Sequence, residues 1–163
     1  MAPPATSPRL YLALDGLRQA LAGIDGDGYY YDLSGDGVVA IREDAGTAGP
    51  IPRVSISLSS SSTEHRELDN GDRCDMEVGF IAHVPYTADN TGNRTLVVLQ
   101  VESDIRRAIA ADPSLGLGAG VVHDCYVRAI TTLSGDEAGI PATRGASIAG
   151  FVSMGVYRGA ADP

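Results

Sequence analysis

Lysine is absent from this chain, and its positive charge comes from 12 arginines set against 21 aspartates and glutamates. The net charge of -9 argues against a broad surface for nucleic acid or an anionic membrane, because phosphate groups would be repelled. Long apolar runs are also missing, since no stretch approaches the roughly 20 apolar residues that cross a bilayer. The opening residues 1–8 carry neither the basic flank nor the apolar run of a signal peptide. These absences predict a soluble, cytoplasmic protein.

Cysteine is scarce as well. Cys74 and Cys125 lie far apart in strand-like patterns, where a cysteine is usually a small buried hydrophobe. Two cysteines form no disulfide framework, and neither has a partner at zinc-site spacing. Strand alternation predicts His123 and Cys125 on one face and Asp124 on the other, so a Cys125 nucleophile would need a distant histidine. The cysteines are therefore interpreted as structural, in a reducing compartment.

Two further patterns resemble ligand sites. The run from Asp25 to Gly28 resembles a calcium loop, but Tyr29 and Tyr30 occupy positions where a ligand and a glycine are required. The glycine-rich segment 115–120 follows a helix and leads into a strand, the reverse of the dinucleotide-binding order. Both are interpreted as turns. The sequence thus predicts no cofactor, no metal and no enzymatic activity.

The pattern of apolar residues predicts a single α+β domain over residues 9–157. Its 163 residues, 44% of them hydrophobic, suffice for one core. We expect a mainly antiparallel sheet with a long β-hairpin, and two helices packed on one of its faces. Residues 1–8 are predicted to be a disordered tail and 158–163 a frayed end. The predicted elements, in order, are helix 9–22, a hairpin of strands 29–33 and 38–41, strands 54–59 and 73–86, helix 93–111, and strands 121–132 and 146–157.

Helix 93–111 carries one apolar stripe, formed by Val98, Val101, Ile105, Ala108 and Ile109. The charged residues between these positions are expected to face away from the stripe. They are Glu102, Asp104, Arg106 and Arg107.

The connection Ser60–Asp72 between the two long predicted strands is unusually charged. Hairpin loops of this length tend to be functional or disordered. A solvated hairpin end is the plain interpretation, and contact with a neighbouring subunit through charge pairing is the alternative. Its charged residues, predicted together with Arg53 as a subunit or tail-tube interface, are Glu64, His65, Arg66, Glu67, Asp69 and Asp72.

The order of the elements resembles the tail terminator proteins of long-tailed bacteriophages. The likeness covers nearly the whole domain as a similarity of layout, without one diagnostic motif. The segments that carry it are helix 9–22, Tyr29-Tyr-Tyr-Asp-Leu, Pro52-Arg-Val-Ser-Ile-Ser, Met76-Glu-Val-Gly-Phe-Ile-Ala-His-Val, helix 99–112 and strand 148–157.

That resemblance implies a homohexameric ring in the virion neck, assembled in the host cytoplasm. Such a ring caps the tail tube, stops polymerisation of the tail tube protein and joins a head-tail connector protein. Genomic DNA would pass through it without specific binding, and a lysine-free acidic chain suits that passage. The alternatives are another connector or tail-completion protein or, from a different class, a small ligand-binding domain or enzyme with a pocket between helices and sheet.

Overall fold

The computed structural model describes residues 8–42, 50–66, 71–134, 140–141 and 143–159. Residues 1–7 and 160–163, parts of the predicted tail and frayed end, lie outside this description. The described chain contains two helices and five strands, which confirms the predicted α+β class. In chain order they are α1 (Arg9–Ala22), β1 (Val39–Ile41), β2 (Arg53–Arg66), β3 (Gly71–Pro85), α2 (Arg94–Ala111), β4 (Val122–Leu133) and β5 (Gly145–Gly159).

The five strands form one sheet in the order β1-β2-β3-β5-β4. All neighbouring pairs are antiparallel except β1 and β2, which are parallel. The predicted long hairpin is formed by β2 and β3, and β3 is the central strand of the sheet. In the middle of the sheet, Ile56, Phe80 and Gly150 lie side by side on β2, β3 and β5.

The core lies between the sheet and the two helices. Helix α1 packs on α2, and both helices contact β5, so they cover the same face of the sheet. Directly opposed residues of neighbouring strands share a face, and the alternation predicted for β3 supplies its core residues. Those residues are Cys74, Met76, Val78, Phe80, Ala82 and Val84. No helix in the described part of the chain is long and apolar enough to cross a membrane.

The predicted loop Ser60–Asp72 is mostly strand. Strand β2 continues to Arg66 and β3 begins at Gly71, so only residues 67–70 connect them. The polar composition of this stretch favoured a loop, but β3 offers a continuous hydrogen-bonding partner and tertiary pairing overrides the weak strand propensity of serine. A bulge between Leu58 and Ser60 shifts the register of β2 against β3 by one residue.

The predicted hairpin of strands 29–33 and 38–41 is wrong. Residues 26–31 form bends, and β1 pairs in parallel with β2 instead of folding back. Two hydrogen bonds donated by backbone amides hold the aromatic segment in place. The Leu33 amide donates to the Ile24 carbonyl at 2.6 Å, and the Tyr31 amide donates to the Asp104 carboxylate of α2 at 2.9 Å.

Asp104 is buried, with 1% of its surface exposed, although the sequence predicted that it faces away from the core. Its Oδ2 accepts hydrogen bonds from the Tyr30 and Tyr31 amides at 3.0 and 2.9 Å. Burial raises the pKa of this carboxyl, while the two amides and the nearby Arg107 guanidinium oppose that rise. Arg107 itself binds the Gly28 carbonyl and lies 5.6 Å from the centre of the Tyr29 ring. Together Asp104 and Arg107 fasten segment 28–31 to α2.

Asp15 of α1 is a second buried carboxylate. Its two oxygens accept from Arg18 Nε at 2.7 Å and from Gln19 Nε2 at 2.6 Å. Local partners one turn along the same helix therefore satisfy this charge.

Candidate assembly surfaces

The outer edge of β2 is largely unpaired. Strand β1 pairs only with Val54, Ser55 and Ile56, and no other described strand lies beside β2 from Ser57 to Arg66. This edge carries neither the lysine nor the proline that often blunts exposed strands. Leu58 on it is 49% exposed, although its register partner Val78 is buried. The edge can accept another strand.

The outer edge of β4 is the opposite boundary of the sheet. Within the described residues no strand lies beyond it, but arginines of α2 bind two of its carbonyls. Arg106 Nη1 donates to the Val127 carbonyl at 3.4 Å, and Arg94 Nη2 donates to the Leu133 carbonyl. Bulges after Val122 and Val127 interrupt the regular pairing of β4 with β5. The two sheet edges therefore differ in length, side chains and covering groups.

The face of the sheet opposite the helices, here called the open face, is arranged in cross-strand rows. One row contains Ser57, Gly79 and Phe151, and the next contains Ser55, Ile81 and Ala149. These two rows form an apolar groove of about 200 Å³, which Arg42 also lines. Phe151 is 41% exposed on this face.

Beyond the groove toward the β2–β3 tip lies a charged cleft of about 380 Å³. Its charged side chains pair within the cleft, Arg73 with Asp75 at 3.2 Å and Arg128 with Glu77. Tyr126 stands beside them, 54% exposed. Asp124 adds a third carboxylate to the lining, so the cleft is a mixed-charge surface with two arginines and three acidic side chains.

On the other side of the groove, the row of Arg53, His83 and Ser147 contains a buried imidazole. His83 is 3% exposed, and its Nδ1 lies 2.7 Å from Ser147 Oγ. Its Nε2 is buried without a hydrogen-bond partner among the described atoms. Burial and the Arg53 and Arg42 guanidiniums lower the pKa of His83, so it is neutral at pH 7. Because Ser147 is fully buried, this pair has no access to a substrate.

Among the predicted interface residues that the structure describes, Arg53 lies apart from the rest. Glu64, His65 and Arg66 lie at the end of β2 and Asp72 at the start of β3, where the structure describes strand position only. Glu67 and Asp69 lie outside the described residues. Arg53 is paired with His83 at the opposite end of β2, about 40 Å from Arg66 at 3.3 Å per residue.

The predicted shared face of His123 and Cys125 is also wrong. A bulge between Val122 and Asp124 breaks the alternation. Cys125 belongs to the core, whereas His123 packs edge-on against Tyr157 with its Nδ1 3.1 Å from Asp124 Oδ1. Burial raises the pKa of Cys125 to about 12, so the thiolate that a nucleophile requires is not formed at neutral pH.

Cys125 and Cys74 should therefore resist alkylation in the native protein. Both are buried, and thiol reactivity follows the accessible thiolate. We expect iodoacetamide at pH 8 to label neither within an hour and to label both in urea, as counted by intact mass. Rapid labelling of Cys125 without denaturant would show that the thiol is open to solvent.

Among the residues that the structure describes, no group of three or more histidine, cysteine, aspartate or glutamate side chains could hold a metal ion. No protein-family model matches the chain, and a search of the curated proteins found no match. The surfaces that can inform on function are therefore the β2 edge, the β4 edge and the open face.

Proposed function

We propose that this chain is a structural assembly protein, similar in role to the tail terminators of long-tailed bacteriophages, and that its copies join edge to edge into a closed ring. The observation that carries the proposal is that one sheet ends in two long, chemically different edges. These are β2 from Ser57 to Arg66 and β4 from Val122 to Leu133.

Two different edges imply a head-to-tail contact. If β2 of one copy pairs with β4 of the next, each copy uses two distinct patches, and the contact is heterologous. Such a contact gives a ring when the rotation between copies closes and a filament when it does not. A protein that caps a tube requires the closed form, and six copies are expected from the resemblance.

In this proposal the ring sits on the tail tube, stops addition of the tail tube protein and offers its other side to the head-tail connector protein. The end of β2 (residues 64–66) and the start of β3 (residues 71–72) lie at the far end of the hairpin from Arg53, a position that suits a contact with a neighbouring ring or subunit. DNA passes through without specific binding, in keeping with the net charge of -9. No reaction is part of this role.

Ser59→Pro tests the edge contact directly. Ser59 lies in the bulge and has no register partner on β3, so a proline there should be tolerated within the subunit. It would remove a backbone donor and place a ring at the free edge. We expect wild-type protein, alone or mixed with tail tube protein, to give a species of six subunits by light scattering, and Ser59→Pro to remain monomeric with an unchanged circular dichroism spectrum.

Ser59→Ala is the matched control, because it changes the same side chain but keeps the amide; it should assemble like wild type. A folded Ser59→Pro protein that still forms the ring would show that the β2 edge is not the contact. Wild-type protein that stays monomeric with and without tail tube protein would contradict the ring itself.

A further inference from the structure

The charged cleft on the open face spans four strands of the sheet. Two neighbouring cross-strand rows form it, and each row contributes one residue from β2, β3, β5 and β4. In that strand order the rows are Ser60, Glu77, Ser153 and Tyr126, and Ser62, Asp75, Gly155 and Asp124. The residues on β5 are small, so the cleft opens between the larger side chains of β3 and β4. Its volume of about 380 Å³ lies within the range of about 300–1,000 Å³ that is usual for ligand sites.

The charged side chains of the cleft are oriented by contacts within it. Arg73 Nε donates to Asp75 Oδ1 at 3.2 Å, and Arg128 binds Glu77. Asp124 Oδ1 accepts a hydrogen bond from the Gly155 amide at 2.8 Å. A guanidinium carries several N–H donors and an ionised carboxylate has several acceptor sites, more than these contacts use among the described residues. The cleft therefore presents donors and acceptors side by side.

Both signs of charge lie close together in this cleft, because two arginines and three acidic side chains line it. A charged ligand that is attracted to one set is repelled by the other, so neither an anion nor a cation gains much. A neutral ligand with many hydroxyl groups meets no such conflict, since each hydroxyl both donates and accepts hydrogen bonds. The lining therefore favours a neutral, polyhydroxylated ligand.

Two exposed aromatic rings border the same part of the open face. Tyr126 lines the cleft, and Phe151 lies in the next row on β5. The register makes them diagonal neighbours across the β4–β5 pair, a separation of about 7–8 Å. The face of an aromatic ring is an apolar platform on which the C–H face of a sugar ring can stack, leaving the sugar hydroxyls free for polar partners. Two such platforms suit consecutive sugar units.

We infer that this cleft is a binding site for a neutral oligosaccharide. One sugar ring stacks on Tyr126, and its hydroxyl groups bind Glu77 and Arg128 in the cleft. The adjoining sugar unit lies toward Phe151. The inference goes beyond the assembly role and does not rest on it, because the ring contact uses the backbone of the sheet edges and the cleft lies on the face of the sheet.

A saccharide titration tests the inference on the full chain. The probes are maltotriose, cellotriose and triacetylchitotriose, neutral trisaccharides that differ in linkage or in N-acetylation, and binding is followed by amide NMR. We expect at least one of them to give saturable shifts in the millimolar range at the amides of Glu77, Tyr126 and Ser153. Two charged probes, N-acetyl-lysine methylamide and inorganic phosphate, should give no saturable shifts at these amides.

Three protein variants and one control assign the binding. Tyr126→Ala should weaken binding about tenfold, whereas Tyr126→Phe should retain it, because stacking uses the ring rather than the hydroxyl. Glu77→Gln should weaken binding about fivefold, since a neutral hydrogen bond replaces a charge-assisted one. The matched control is Tyr30→Ala, which should leave binding unchanged. Tyr30 is 55% exposed against 54% for Tyr126, but it lies outside the cleft. Melting curves establish that each variant is folded.

Four outcomes would overturn the inference. They are the absence of saturable shifts with all three trisaccharides, shifts centred outside the cleft, trisaccharide binding that survives Tyr126→Ala, and equal weakening by Tyr30→Ala. Saturable shifts at the cleft amides with a charged probe and with no trisaccharide would assign the cleft to an ionic partner instead. None of these results would bear on Ser59→Pro, so failure here is distinguishable from failure of the ring.

Discussion

Asp104→Ala is expected to lower the free energy of unfolding by about 2–4 kcal/mol, because it leaves buried backbone donors without an acceptor. The Asp104 carboxylate accepts from two successive amides, those of Tyr30 and Tyr31. Segment 26–31 pairs with no strand. The Asp104 carboxylate therefore accepts the hydrogen bonds that a neighbouring strand would otherwise accept from these amides. Urea denaturation at pH 7 measures the effect.

Asp104→Asn is the informative comparison. Asparagine keeps the shape and one carbonyl oxygen but cannot titrate. Burial raises the pKa of Asp104 in the folded protein above its usual value near 3.9. A raised pKa means that its contribution to stability is fully present below the unfolded pKa and is lost as pH rises through the folded pKa. The difference in free energy of unfolding between wild type and Asp104→Asn should therefore favour wild type most in acid, and this advantage should decrease as the pH rises toward 7.

The pH series is measured by urea denaturation of both proteins from about pH 3.5 to pH 7. A difference that is independent of pH would show that the Asp104 pKa is not raised. A difference that moves in favour of wild type with rising pH would show that the hydrogen bonds from the two amides outweigh the effect of burial on the Asp104 pKa. Neither finding would depend on whether the chain forms a ring.

The helical spacing of α2 itself indicates that Asp104 is buried. Val97, Val101, Asp104 and Ala108 follow helical spacing, so the aspartate falls on the buried stripe of α2. A carboxylate on such a stripe needs donors, and the only signal for them was the short run of tyrosines that resembled a strand. The aromatic side chains of this run are typical of a strand. In the structure it is instead the backbone amides of Tyr30 and Tyr31 that matter, because they donate to the Asp104 carboxylate.

The long elements were predictable because local pattern and final packing agree. The positions of both helices and the alternating core residues of β3 agree with those predicted from the sequence. The serine-rich half of β2 was not predictable, since its strand conformation depends on the partner β3. The bulges at Ser59 and His123 likewise depend on cross-strand register, and they decide which residues reach the open face. The candidate cleft combines residues from β2, β3, β4 and β5 and therefore needed the sheet order.

Gly150→Ala is expected to destabilise the fold by about 2–3 kcal/mol through overpacking. Gly150 faces Phe80 across the β3–β5 pair, on the core side of the sheet. A methyl group there would lie 2.5 Å from the Ala129 carbonyl oxygen and 2.5 Å from Phe80 Cζ. The carbonyl belongs to the sheet backbone, and the buried ring is 2% exposed, so neither can move away without loss of packing.

Gly79→Ala is a matched control, because the same strand pair repeats the arrangement on the open face. Gly79 faces Phe151, but a methyl group there would lie 3.8 Å from the nearest ring carbon, an ordinary contact. We expect Gly79→Ala to change stability by less than about 0.5 kcal/mol or to stabilise the fold slightly, since alanine restricts the unfolded chain. Urea denaturation of both variants gives the comparison.

The Phe80 part of the clash can be isolated by adding Phe80→Leu to Gly150→Ala. Leucine is smaller than the ring and costs stability alone, but it makes room for the new methyl group. The double variant should be more stable than the sum of the two single effects by about 1 kcal/mol, the size of coupling seen between contacting residues. Simple additivity would assign the cost to the Ala129 carbonyl instead. Equal stability of Gly150→Ala and Gly79→Ala would contradict the packing of Phe80 over Gly150.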